Sequence, residues 1–186
     1  MSAPLLVTFA AGTSGPWQID RINVVRGDGL PEAQALAIWE GRDIAPPPSH
    51  WLLRGVTSNT RYTNRLELDA LGSVQEGLSR VQATQAALIP IRKTPAWWAL
   101  AQDERRAIIE EKSRHIGIGL AYLPAIARRL HHSRELGEPF DFLTWFEYAS
   151  EHAGDFEALV TRLRETEEWR YVDREVDVRL TRRREA

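Results

Sequence analysis

Cysteine is absent from this sequence, and its single methionine is Met1. Disulfides, thiolate metal sites and cysteine nucleophiles are thereby excluded together. The body of the chain carries no sulfur for an oxidant to attack, which suits a protein that meets strong oxidants, although compositional drift accounts for it equally well. Also missing are an apolar run of membrane-spanning length and any block of one charge ahead of Arg182-Arg183-Arg184. With a formal charge of -2 and no basic stripe, nucleic acid finds little to bind. The terminal arginines read as a solvated tail. There is no Walker loop, no G-x-G-x-x-G and no G-x-S-x-G. Leu5-Leu6-Val7-Thr8-Phe9 is apolar but lacks a preceding cationic region and a following clean cleavage site, so no signal peptide is expected and a soluble, cytoplasmic protein is.

What is present fits one compact domain or two small fused units: 186 residues, of which 43% are apolar. Leu5 to Ala10 and Trp17 to Val25 read as strands around Gly12-Thr-Ser-Gly-Pro16, a hairpin. Residues 26 to 50 show no sustained period and read as a connection. Trp51 to Val56 is a short strand, and Leu71, Val74, Leu78 and Val81 place an amphipathic helix over about Asn64 to Val81. A second unit follows: strand Ala86 to Ile91, helix Asp103 to His115, strands Ile126 to Ser133 and Phe140 to Ala149 about the turn Gly137-Glu-Pro139, a helix carrying Phe156, Leu159, Val160 and Leu163, and strand Tyr171 to Leu180. The order β-α-β-β-α-β predicts an α+β fold of the ferredoxin-like kind, with residues 51 to 91 an incomplete copy.

Five polar side chains fall where this periodicity calls for apolar ones. Gln75 follows Leu71 by four, His115 follows Ile108 by seven, and Glu168 follows Val160 by eight on a helix that would have to run that far. Arg128 shares strand parity with Ile126 and Leu130, and Lys93 with Ile89 and Ile91. Taken singly, each is more often a surface residue, and a lone histidine is more often a hydrogen-bonded core or surface group. Taken together they point to a shared polar pocket, because buried charges are retained mainly where they meet each other, a cofactor or a substrate.

The stretches Ala87 to Lys93, Trp97-Trp98, Asp103-Glu-Arg-Arg106, Lys112 through His115 to Arg128, Gly137 to Tyr148 and Thr166-Glu-Glu-Trp169 closely resemble the chlorite dismutases in wording and spacing, over about residues 50 to 180. The length resembles the short, dimeric lineage. The resemblance implies a dimeric α+β barrel of two ferredoxin-like units, the N-terminal one (residues 1–91) truncated and the C-terminal one (residues 92–186) holding haem b. It implies His115 as proximal iron ligand, Glu168 as the acid on its other ring nitrogen and Lys93 as a member of that network. Arg128 would be the distal arginine and Gln75 the glutamine touching it, with Trp97 and Tyr62 near the haem edge and propionates. The implied activity is decomposition of chlorite to chloride and dioxygen, by oxygen transfer to the iron and recombination with hypochlorite, in a homodimer. Trp145 or Phe146 would line a dry cavity, or simply pack the core.

Four rivals remain at the level of sequence. A coproheme decarboxylase of the same fold usually lacks an arginine at the place of Arg128. A dye-decolourising peroxidase wants a distal aspartate in a Gly-rich motif, which is not found. A haem carrier without turnover, or a ferredoxin-like domain with a satisfied core histidine and no cofactor, would be separated by a Soret band. Other metal sites are weak: His131 and His132 lie on opposite faces of a strand, and His152 opens a helix without usable carboxylates.

Overall fold

The computed structural model describes residues 4–41, 46–57 and 77–183. Eight strands, β1 (Leu6–Gly12), β2 (Trp17–Arg26), β3 (Ala35–Glu40), β4 (Trp51–Thr57), β5 (Gln85–Lys93), β6 (Ile126–His132), β7 (Phe142–Tyr148) and β8 (Val172–Arg182), close into one barrel. The first four pair in the order β4-β1-β3-β2 and the last four in the order β8-β5-β7-β6, every ladder antiparallel. Each half therefore has the ferredoxin-like strand order, and the halves join along β2/β8 and β4/β6. In the second half the β5–β6 connection carries α1 (Pro95–Ala99), α2 (Gln102–Arg106), a π-helical turn (Ala107–Lys112) and α3 (His115–Leu120), while the β7–β8 connection carries α4 (Ala153–Arg164). In the first half only residues 13–16 link β1 to β2, too few for a crossover helix. The molecule is a ferredoxin-like α+β barrel with a truncated N-terminal unit.

Alternation along the strands makes two cores. Leu88 and Trp145 point into the barrel with Phe9, Trp17, Leu36 and Val178, whereas their neighbours Ile89 and Phe146 face outward and pack under Ile118 of α3 and Phe156 and Leu159 of α4. The apolar stripe of α4 falls as its spacing predicts: Phe156, Leu159, Val160 and Leu163 are buried. Three residues in the middle of β8, Glu175, Asp177 and Arg179, are instead polar and buried. Glu175 and Asp177 accept bonds from Arg164 at 2.8 and 2.9 Å, and Arg179 joins Asp177 to Glu157.

The structure corrects several expectations. β1 and β2 form no hairpin: β3, within the stretch read as a connection, lies between them, overlapping β2 at Trp17 and Gln18. Gly15 serves close approach instead of a hairpin turn, since a Cβ there would sit 2.5 Å from the Leu36 carbonyl oxygen. β3 escaped notice because Ala35 and Ala37 blunt its alternation. Most of the helix expected over residues 64–81 lies outside the described residues, but its end is not helical: Ser79 has φ 68° and Val81 is 89% exposed. Arg182 is no solvated tail. It ends β8, lies over the Trp17 ring at 4.8 Å and donates to the Arg80 carbonyl at 3.1 Å.

Candidate active site

Between Asp103 and His115 the chain does not form the single helix expected. It passes from α2 into the π-helical turn, and Arg114 then takes a left-handed conformation with φ 53°, so that His115 begins a new helix, α3. The break is tied locally: the Ile116 N–H donates to Glu110 Oε1 at 3.0 Å. Ile108 and His115 consequently do not share one helix face. Glu168 likewise leaves the stripe of α4, which ends at Arg164, and sits in a separate 3-10 turn, Glu168–Tyr171.

That rearrangement brings three of the five polar residues together, Lys93, His115 and Glu168. His115 Nδ1 lies 2.6 Å from Glu168 Oε2, and Lys93 Nζ, at the end of β5, donates to Glu168 Oε1 at 2.8 Å. Lys93 is 3% exposed and Glu168 5%. Burial pushes the Glu168 carboxyl up, but the charges and hydrogen bonds of Lys93 and His115 outweigh it and hold the group below the usual carboxylate range. The Glu168 N–H donates to Ser113 Oγ at 3.0 Å, and the Lys93 N–H donates to Asp141 Oδ2 at 2.7 Å. The Lys93 ammonium also lies 4.5 Å from the Trp97 ring centroid, a cation–π contact. With Nδ1 engaged by a carboxylate, Nε2 is the nitrogen His115 can present to a ligand or metal.

Arg128 projects from β6 on the helix-covered face, and its guanidinium lies against α3: a Cβ on Gly119, four residues past His115, would be 2.0 Å from one of its terminal nitrogens. Burial lowers the Arg128 pKa, opposed by the nearby Glu110 carboxylate. Trp97 is 1% exposed, and its indole N–H has no acceptor among the described residues. Tyr62 and Gln75 lie outside the described residues.

Trp145 points into the barrel against Phe9 and Trp17, its N–H donating to Glu147 at 2.9 Å, and is core. Phe146 faces the helix-covered side but packs on Phe156, ring centroids 5.1 Å apart. His131 and His132 do face opposite ways, toward Phe9 and toward Phe142. The sequence reading missed Ser113, Glu110, Asp141 and Gly119. Of these only Gly119 left a signal, as a second glycine within one helical turn, Gly117-Ile-Gly119.

Fold and site together define a class: an α+β barrel whose helix-covered sheet meets a buried lysine–carboxylate pair bonded to a half-buried histidine, with a half-buried arginine lying against α3. The chain belongs to the chlorite dismutase family, whose model, described as Chlorite dismutase, matches residues 48–184. Among solved structures, a dimeric chlorite dismutase from Nitrobacter winogradskyi is similar at 58% identity and TM-score 0.89, covering 95% of this chain and 99% of that one. A mutant chlorite dismutase from Candidatus Nitrospira defluvii, in complex with cyanide, shares the fold at 23% identity and TM-score 0.66, covering 97% of this chain and 91% of that one. The chlorite dismutase of Ideonella dechloratans is 29% identical over 117 residues, 60% of this chain but only 39% of that protein's length. No helix among the described residues is long and apolar enough to cross a membrane.

Proposed function

We propose that this chain binds haem b between the helix-covered sheet and α3, and that it decomposes chlorite to chloride and dioxygen. The observation that carries the reading is the chain Lys93–Glu168–His115, with bonds of 2.8 and 2.6 Å and its lysine and carboxylate buried. The residues fit the group. An imidazole whose Nδ1 proton is held by a carboxylate is a strong donor through Nε2, the donor an iron porphyrin takes. The buried indole N–H of Trp97 is a donor suited to a propionate.

When bound, the haem supplies the redox chemistry that joins the two oxygens of one chlorite into dioxygen and leaves chloride. His115 would hold the iron. Glu168 keeps the proton at Nδ1, fixes the ring's tautomer and increases its electron donation, and Lys93 keeps Glu168 ionised. Arg128 stays charged at working pH, attracts chlorite and stabilises negative charge on its oxygens. Gln75 beside Arg128 and Tyr62 at the haem edge complete the proposal, which also includes a homodimer, as the Nitrobacter relative is described, and a cytoplasmic location.

The test is oxygen release on mixing chlorite with haem-loaded protein under nitrogen. One dioxygen per chlorite is expected, with chloride as the other product. A haem-loaded protein that releases no oxygen overturns the activity, and a His115→Ala variant that keeps the wild-type ferric spectrum overturns the ligand assignment.

A further inference from the structure

One contact connects the candidate site to the buried charges beneath α4. Trp169 follows Glu168 in the same 3-10 turn, and its indole N–H donates to Glu175 Oε2 at 2.8 Å. Glu175 is 1% exposed, and its other oxygen accepts from Arg164 Nε at 2.8 Å. A buried carboxylate with both oxygens occupied is a stiff anchor, since moving it strands charge. The ring it anchors lies near-parallel to the His115 imidazole, centroids 6.3 Å apart and planes at 25°, within the range of offset aromatic pairs. The Lys93 ammonium sits 5.5 Å from the same indole's centroid. The turn is held from outside as well, by Arg26, which donates to the Val172 carbonyl at 2.6 Å.

We infer that Glu175 is a positioning residue for His115, acting through the Trp169 indole. Glu168 restrains the imidazole at its edge and Trp169 at its face, and both come from one turn of 3-10 helix. Restraint of one side chain is therefore restraint of the other. Glu175 fixes where that turn stands relative to β8, and the charges around it, Arg164, Asp177, Arg179 and Glu157, hold Glu175 in turn. This rests on the ligand role proposed for His115, but the geometry is testable without any cofactor.

The experiment follows the His115 Nδ1 proton by NMR in the protein without added haem. A proton shared with a carboxylate at this distance resonates far downfield and exchanges slowly. Trp169→Phe, which keeps a ring and deletes the N–H, and Glu175→Ala are each expected to speed its exchange by about tenfold, equivalent to a loss of restraint of about 1.4 kcal/mol. Glu175→Gln keeps an acceptor for the indole but turns an amide NH2 toward Arg164, donor against donor, and is expected to speed exchange less than Glu175→Ala does. Protection of the β5 amides serves as the control for general loosening, and if Glu175→Ala fails to fold, Trp169→Phe against Glu175→Gln decides. Unchanged exchange in Trp169→Phe, or no downfield proton in the wild type, overturns the inference. Should wild-type protein take up no haem, the proposed function falls while this comparison still decides the positioning role.

Discussion

Glu168 carries more of the site than any other side chain, because three groups depend on it: the Lys93 ammonium, the His115 ring and the turn it opens. Replacing it by Ala leaves Lys93 charged and buried without its carboxylate. Such a break costs roughly 3 to 5 kcal/mol, so urea unfolding of Glu168→Ala is expected to show a midpoint well below wild type. Arg128→Ala is expected to lower kcat/KM for chlorite by about tenfold or more if the guanidinium stabilises charge in the transition state, as removal of one oxyanion donor does. An unchanged kcat/KM and unchanged hypochlorite leakage would remove Arg128 from the mechanism. Gly119→Ala acts at the same place by a different route. The added methyl collides with the movable end of Arg128 and not with backbone. Stability is therefore expected to change little, which chemical denaturation of Gly119→Ala beside wild type will show. Inside the barrel, His131 is fully buried, and burial first, with Arg129 and His132 adding to it, lowers its pKa from 6.5 to about 4 despite the hydrogen bond with the Leu143 carbonyl. The unfolded chain takes up this proton first as pH falls, so the contribution is fully present above 6.5 and is lost between 6.5 and about 4. Between pH 7 and pH 5 the loss amounts to about 2 kcal/mol, which denaturation at the two pH values checks, with a flatter slope expected for His131→Leu.

Helix α3 exists as a separate element because the chain turns at Ser113 and Arg114, and that turn aims His115 at Glu168. A non-glycine residue in the left-handed region costs roughly 1 to 2 kcal/mol, more for a β-branched side chain. Arg114→Val is therefore expected to be less stable than Arg114→Gly by roughly 1 to 2 kcal/mol in chemical denaturation, and equal stabilities would show that the turn relaxes. Periodicity alone ran Asp103 to His115 together as one helix, because Ile108 and His115 are seven apart and no proline or glycine intervenes. Local pattern does not contain the hydrogen bonds that pay for the break, from the Ile116 N–H to Glu110 and from the Glu168 N–H to Ser113 Oγ. α4, by contrast, was fully legible, since a four-residue apolar stripe leaves one way to bury it.

Across the whole molecule the barrel closes along two unequal joints. β2 and β8 pair from Trp17↔Arg182 to Arg26↔Glu175, while β4 and β6 pair, among the described residues, at Val56↔His132 and Thr57↔His131. The short joint needs Gly55: a Cβ there would meet Ser133 Oγ at 2.9 Å and, at 2.6 Å, the His131 Cβ, which is bonded directly to the backbone and cannot rotate away. Gly55→Ala is expected to cost roughly 1 to 3 kcal/mol by overpacking, seen as a lower thermal midpoint. The absence of a β1–β2 hairpin was illegible because the true partners are distant: β1 meets Ala35 to Glu40 and Trp51 to Val56, and β2 meets Glu175 to Arg182. Two-residue turn chemistry says nothing about such pairings.

By itself the sequence determined the strand–helix order of the C-terminal half, the buried face of α4, and the family, because apolar periodicity and motif spacing are properties of neighbours along the chain. It also put Lys93, His115, Arg128 and Glu168 on apolar stripes, though two of those stripes belong to helices that the chain does not continue. Only the tertiary structure decided that Glu168 reaches His115 from a turn beyond α4, that Gly119 makes room for Arg128, and that a truncated half closes the barrel. Each of those depends on where a distant segment lies, and charges buried together can choose partners only once packing has removed the water between them.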